Sequence, residues 1–179
     1  MAASDEELHI AYLDGDATAF ETLYSRYREP LYAFLRRSGL EPSDAEDLYQ
    51  DIWLGIAKSP NGFRGGNFRA WLFQVARNRA TDRFRRRRLR PIAEPEQVAD
   101  LVDDDPPPER QVAGTDCIGR LRQALGGLPA DQRDAFLLRE QAGLGLADIA
   151  AVVGTGVETV KSRLRYALRK LRAELEDCL

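Results

Sequence analysis

The stretch VETVKSRLRYALRKLR at 157–172 carries Glu158, Lys161, Ser162, Arg165 and Arg169 at spacings of three and four. In a helix that period gathers them on one side, opposite Val157, Val160, Leu164, Ala167 and Leu171, which should pack inward. The outer set suits a DNA major groove: Arg and Lys for guanine edges or phosphates, Ser for either, Glu for a cytosine amino group. A second stretch, FRAWLFQVARNRATDRFRRRR at 68–88, turns Leu72, Val75 and Ala76 inward and Gln74, Arg77, Asn78, Thr81, Arg85 and Arg88 outward. Phe73 and Phe84 border that outer face and Trp71 stands at its start. Arginine and amide groups bind phosphates and base edges, and aromatic rings stack on unpaired bases. Core packing is the competing use for the rings, and the better one for Trp71. The run RFRRRR is harder to treat as a solvated face, because clustered like charges weaken a helix unless a polyanion lies nearby. A third stripe, Asp44, Asp47 and Asp51, runs beside apolar Ala45, Leu48, Tyr49, Ile52 and Ile56. It is either a solvated face or a docking surface for a basic protein.

Other chemistries lack their residues. His9 is the only histidine, and Cys117 and Cys178 stand far apart in no metal-ligand spacing, so a protein-made zinc site is not expected. The cysteines are expected to be reduced and idle. No P-loop is present, and no cofactor is called for. The carboxylates fall on surface helices or in a linker, which argues against a nuclease. A net charge of −3 means that any nucleic-acid surface is local rather than global. The segment MAASDEELHI has neither the basic start nor the apolar core of a signal peptide, and no apolar run nears the ~20 residues that span a bilayer. A cytoplasmic protein with no membrane insertion is the expectation.

The elements that must hold these side chains are all helical by pattern. SDEE at 4–7 is a capping box opening a first helix that Gly15 can end. A second helix is expected from Asp16 to Arg37, kinked at Pro30 and ended by Gly39. SDAE at 43–46 reads as another capping box, for a helix reaching about Lys58. SPNGFRGGN at 59–67 is loop by composition, and a long helix follows from about Arg69 to Arg88. Between Pro91 and about Thr115 periodicity vanishes into an acidic, proline-rich linker. Helices resume near 116–126, 130–142, 146–153 and 157–175. LADIAAVVGTGVETVKSRLRYALRKLR, a short helix, a glycine-bearing turn and a basic helix, has the helix-turn-helix pattern. The expected architecture is all-α, with small domains at 1–90 and 116–179 joined by a tether at 91–115.

Taken in order, DAEDLYQDIWLGI, FRAWLFQVARNRATDRFRRRR and LPADQRDAFLLRE followed by the helix-turn-helix resemble the bacterial group IV, or extracytoplasmic-function (ECF), RNA polymerase sigma factors, over about Asp16 to Leu175. The resemblance implies a non-catalytic promoter-specificity subunit made of a region 2 and a region 4 domain. It implies that Asp44, Glu46, Asp47, Gln50 and Asp51 dock on the clamp helices of the largest core RNA polymerase subunit, with the flap of the second largest as a further contact. It places Phe73, Gln74, Asn78 and Asp82 at −10 base contacts, and Lys161, Ser162, Arg165 and Tyr166 at −35 contacts. Arg83–Arg90 would lie on promoter phosphates. The acidic linker would thread toward nucleic-acid channels of the polymerase, so the adjacent basic and acidic runs would serve opposite partners. A cognate anti-sigma factor is also implied. Two features depart from the family pattern: GFRGGNFRAW is about a residue shorter than usual, and Gln74 and Asp82 stand where Arg and Asn are frequent. The competing reading is a helix-turn-helix regulator that does not dock on polymerase.

Overall fold

The computed structural model describes residues 3–89 and 112–178, and among them every regular element is helical. The helices are α1 (Asp5–Leu13), α2 (Ala17–Arg37), α3 (Pro42–Lys58), α4 (Phe68–Leu89), α5 (Val112–Gly126), α6 (Ala130–Glu140), α7 (Leu146–Val153) and α8 (Val157–Glu174). Short 3-10 turns fall at Pro60–Gly62 and Glu176–Cys178. The expected acidic linker lies, as far as residue 111, outside the described residues. α5 begins at Val112, ahead of the expected 116.

Local chemistry sets most of the boundaries. Ser4 Oγ accepts from Glu7 N at 3.1 Å while Glu7 Oε2 accepts from Ser4 N at 2.8 Å, a reciprocal cap on α1. The box expected at 43–46 does not form. α3 starts at Pro42 behind Glu41, with no side-chain cap bond. Proline at the first helical position has no N–H to satisfy and a preset φ, so the helix begins there and Ser43 lies inside it. Pro30 is carried within α2, which stays one continuous helix.

Helices α1–α4 bury Leu31, Phe34 and Leu35 of α2, Ile52 of α3, and Phe68, Leu72 and Phe73 of α4 completely. Each such side chain contributes about 1.5–3 kcal/mol on leaving water. Helices α5–α8 continue this hydrophobic cluster through Leu125, Leu137, Leu138, Leu144, Ile149, Val160 and Leu171. The two halves also touch, with α4 against α7 and α2 against α5 and α6. Glycine permits that approach at two left-handed positions. A Cβ on Gly39 (φ +89°) would sit 3.2 Å from Arg133 Nη1, and one on Gly143 (φ +62°) would sit 3.3 Å from Arg69 Nη1.

Across the same seam Arg77 Nε donates to Asp134 Oδ2 at 2.6 Å, with both side chains largely buried. Burial pushes the Asp134 carboxyl up from its ordinary value, and the Arg77 guanidinium opposes that shift. Asp134→Asn is expected to weaken the contact between the halves by about 1–2 kcal/mol, less than for a fully buried pair because this one keeps some solvent. Small-angle scattering should then give a larger radius of gyration at unchanged helicity; an unchanged radius would mean that apolar packing alone holds the seam.

Candidate nucleic-acid interface and docking surface

The helix-turn-helix is built from α7, a tight turn and α8. Gly154 closes α7 in the left-handed region (φ +68°), and Gly156 serves as the N-cap of α8. Val160, Ala167 and Leu171 are buried and anchor α8 against the domain. Val157, expected to face inward, is 37% exposed because it opens the helix at its first residue, ahead of the buried Val160. The outer face is as expected in position: Glu158, Lys161, Arg165, Tyr166 and Arg169 are exposed and Ser162 is half-buried. Lys161 Nζ pairs with Glu158 Oε1 at 2.7 Å, and Arg165 Nη2 makes a long 3.4 Å hydrogen bond to Ser162 Oγ. The Arg169 guanidinium lies 5.0 Å from the centre of the Tyr166 ring, a cation–π contact that orients it.

On α4 the outer face divides. Gln74, Asn78 and Asp82, each four residues apart, are exposed. Arg77, Thr81, Phe84 and Arg85 instead line a cleft of about 320 Å³ against Ala130, Arg133 and Asp134. The described part of α4 thus offers Gln74, Asn78 and Asp82 to solvent while Asp134 of α6 engages Arg77. Arg88 has no described side-chain environment. Phe73 corrects the expectation: it is fully buried, edge-on to Phe34 with ring centres 5.4 Å apart. The inward face of α4 is wide enough to take Leu72 and Phe73 together, so this ring packs rather than stacks on a base. Trp71 is half-buried, 5.5 Å from Phe63 and 5.4 Å from Phe68, over the short glycine loop.

The acidic stripe of α3 is not wholly free. Arg83 donates from Nε and Nη2 to Asp44 Oδ1 at 2.9 and 2.7 Å, and Nη2 also reaches Asp47 Oδ2 at 3.3 Å. Arg87 lies 3.4 Å from Glu41. The Asp44 side chain is only 24% exposed, whereas that of Asp47 is 67% exposed. Glu46 is exposed, accepting from the Tyr32 hydroxyl at 3.3 Å, and Gln50 and Asp51 are exposed too. Two arginines of the basic run therefore turn back onto α3, which the pattern of separated charge runs did not anticipate.

The sequence reading missed what α1 does. Glu6 Oε1 accepts from Phe68 N at 2.9 Å and so caps the start of α4, helped by Asn67 Oδ1, which accepts from Ala70 N at 3.0 Å. His9 is buried between Phe63 and Phe68, and its Nε2 donates to the Pro60 carbonyl at 2.9 Å. Asp5 accepts from both Arg26 and Tyr27, and the Tyr27 hydroxyl accepts from Arg69 Nε. Burial, with the Asp5 hydrogen bond, pushes the Tyr27 phenol up to about 12. The signal was available in the acidic first turn of α1, but its partners are distant in sequence.

The cysteines also correct the expectation. Cys117 of α5 and Cys178 of the last 3-10 turn are joined as a disulfide, with Cα atoms 5.7 Å apart. Among the described residues no cluster of His, Cys, Asp and Glu could hold a metal, and no helix is long and apolar enough to cross a membrane.

A helix-turn-helix with an exposed basic face, joined to a helical domain that sets an acidic helix beside a basic one, defines a two-domain DNA-recognition protein. Residues 23–90 match the family model for sigma-70 region 2, and residues 118–171 match that for sigma-70 region 4. The chain is 32% identical over 169 residues to the ECF RNA polymerase sigma factor SigM of Mycobacterium tuberculosis, covering 94% of this chain and 83% of SigM. It is 30% identical over 181 residues to the RNA polymerase sigma factor CnrH of Cupriavidus metallidurans, covering 97% and 95%. The solved structure of CnrH in complex with the cytosolic domain of CnrY superposes with a TM-score of 0.72 at 26% identity, covering 97% of both chains. The sigma factor RpoE of Bartonella quintana, solved with the anti-sigma factor NepR, superposes with a TM-score of 0.66 at 28% identity, covering 88% of this chain and 96% of RpoE. The chain belongs to the ECF RNA polymerase sigma factors, and it is a sigma subunit of transcription initiation.

Proposed function

We propose that the chain docks on core RNA polymerase through the exposed part of α3, chiefly Asp47, Gln50 and Asp51, and directs initiation at promoters read in two places. Gln74, Asn78, Asp82 and the exposed Arg85 of α4 contact the −10 element, with Arg77 joining once the seam between the domains opens. Glu158, Lys161, Ser162, Arg165, Tyr166 and Arg169 of α8 contact the −35 element. Strand opening is driven by capture of unpaired bases, with no reaction catalysed by this chain. One observation carries the reading: a solvent-facing polar stripe on α4 and a solvent-facing basic stripe on α8 occur in one chain beside an exposed acidic helix. The Bartonella quintana neighbour was solved with an anti-sigma factor, and a partner of that kind is proposed here. Cytoplasmic localisation follows from the same role.

The test is reconstituted transcription. Core polymerase plus this chain should give discrete start sites on a genomic fragment library, and those sites should share −35 and −10 elements. The free chain should bind the same duplexes weakly, because its net charge is −3 and Asp134 holds Arg77. Tight specific duplex binding by the free chain, with no transcripts when core enzyme is added, would favour a helix-turn-helix regulator that does not dock on polymerase.

A further inference from the structure

The only two cysteines of the chain, 61 residues apart, meet across the helices α5 and α8. α8 ends at Glu174, and the turn Glu176–Cys178, held by Cys178 N donating to the Leu175 carbonyl at 2.8 Å, brings the second cysteine back to α5. At the far end of α5, Lys170 of α8 donates to the Gly127 carbonyl at 2.5 Å. The two helices are thus tied at both ends, by an ion–dipole contact at one and by a covalent bond at the other. The noncovalent packing of α5 is uneven. Ala124 and Leu125 in its last turns are buried, whereas Ile118 near the disulfide is 64% exposed and Gly119 is exposed. Near the start of α5, Cys117 makes a covalent tie to the turn that follows α8. Both cysteines are half-buried, so small reagents reach them.

A sigma subunit works where glutathione-type thiols keep stable structural disulfides rare, and intracellular disulfides there are mostly reversible. From this placement we infer that Cys117 and Cys178 form a reversible oxidation site whose state decides whether the first turns of α5 stay pinned along the reading helix. The inference rests on the proposed function only for the compartment. The oxidant class is a hydroperoxide. A cysteine thiolate attacks a peroxide oxygen and breaks the O–O bond, giving a sulfenic acid and hydroxide, which takes up the proton the thiol had lost and leaves as water. The second thiolate attacks the sulfenic sulfur and expels hydroxide, which takes up a proton as water. In total two thiols and one hydrogen peroxide give one disulfide and two waters. A dithiol reverses the bond by exchange, becoming oxidised itself. Closing a loop of this length restricts the unfolded chain and encloses the rest of α5 together with α6, α7 and α8.

The test uses the full chain without polymerase or DNA, so its outcome is separate from that of the functional reading. Reduced protein treated with hydrogen peroxide should lose both alkylatable thiols, remain monomeric and weigh two hydrogens less; dithiothreitol should reverse all three changes. Reduction should lower the melting temperature of the chain by about 10 °C. It should also speed amide exchange over 112–121 while leaving 158–165 protected. Cys117→Ser and Cys178→Ser should each match reduced protein and ignore dithiothreitol. Persistence of two free thiols after peroxide would overturn the inference, as would intermolecular dimers or stepwise oxidation to sulfinic acid. Equal melting and exchange in the two redox states would overturn it as well.

Discussion

Asp47→Arg combined with Asp51→Arg is expected to abolish binding to core RNA polymerase while leaving the helical content of the chain unchanged. The choice of residues follows from what each carboxylate already does. Asp44 takes two hydrogen bonds from Arg83 and is mostly covered, so it serves the α3–α4 contact and its loss would confuse folding with docking. Asp47 holds Arg83 by a single longer contact and leaves most of its side chain in water, and Asp51 is exposed. Reversing Asp47 costs α3 little, because Arg83 keeps Asp44. Against a basic partner, two reversals replace attraction with repulsion, and like charges facing each other across an interface cost several kcal/mol. Affinity should fall by at least about 100-fold in a pull-down or fluorescence titration, with an unchanged far-UV spectrum. Core binding retained by a natively helical variant would remove α3 from the interface.

Helix positions were legible because each helix buries one stripe, and the spacing of Leu23, Tyr27, Leu31 and Phe34 announces α2 without help from any other segment. The same logic located the exposed polar face of α8. It failed where two residues compete for one side, since Leu72 and Phe73 are adjacent in sequence yet both fully buried. It failed again for pairs distant in sequence. Arg77 and Asp134 are 57 residues apart and Cys117 and Cys178 are 61 apart, and no periodicity links such positions. The roles of Asp5, Glu6 and His9 were hidden for the same reason: each acts on a residue of α2, α4 or the loop before α4.

The electrostatic layout also differs from separate runs with separate partners. Arg83 and Arg87 are engaged by α3 and Arg77 by α6, while Gln74, Asn78 and Asp82 remain in solvent. Free protein therefore has part of the positive charge of α4 tied up by its own carboxylates, which lowers long-range attraction to DNA, although Arg85 and Arg86 stay exposed. α8 carries exposed Lys161, Arg165 and Arg169 that no carboxylate of another helix engages among the described residues, so sequence discrimination in the free chain should be sought there first.

The recognition helix gives the sharper separation of roles. Arg165 lies in mid-helix, between the buried positions Val160 and Ala167 in sequence and on the opposite side from both. Its one long contact to Ser162 leaves the guanidinium able to swing toward a base edge. Arg169, one turn further along, is steered by the Tyr166 ring, a geometry suited to a backbone phosphate at the groove's edge. Losing a base-reading arginine costs about 1–3 kcal/mol at one position, whereas losing a phosphate contact weakens every sequence alike and lowers the salt slope by about one unit. Arg165→Ala should change the preferred −35 sequence recovered by selection from a randomised promoter pool transcribed by the reconstituted holoenzyme. Arg169→Ala should reduce transcription across the pool without changing that preference, and Tyr166→Phe, which keeps the ring beneath Arg169, should leave the Arg169 contribution in place. If Arg165→Ala leaves both preference and yield untouched, α8 is not the reader and the −35 assignments on this helix fail together.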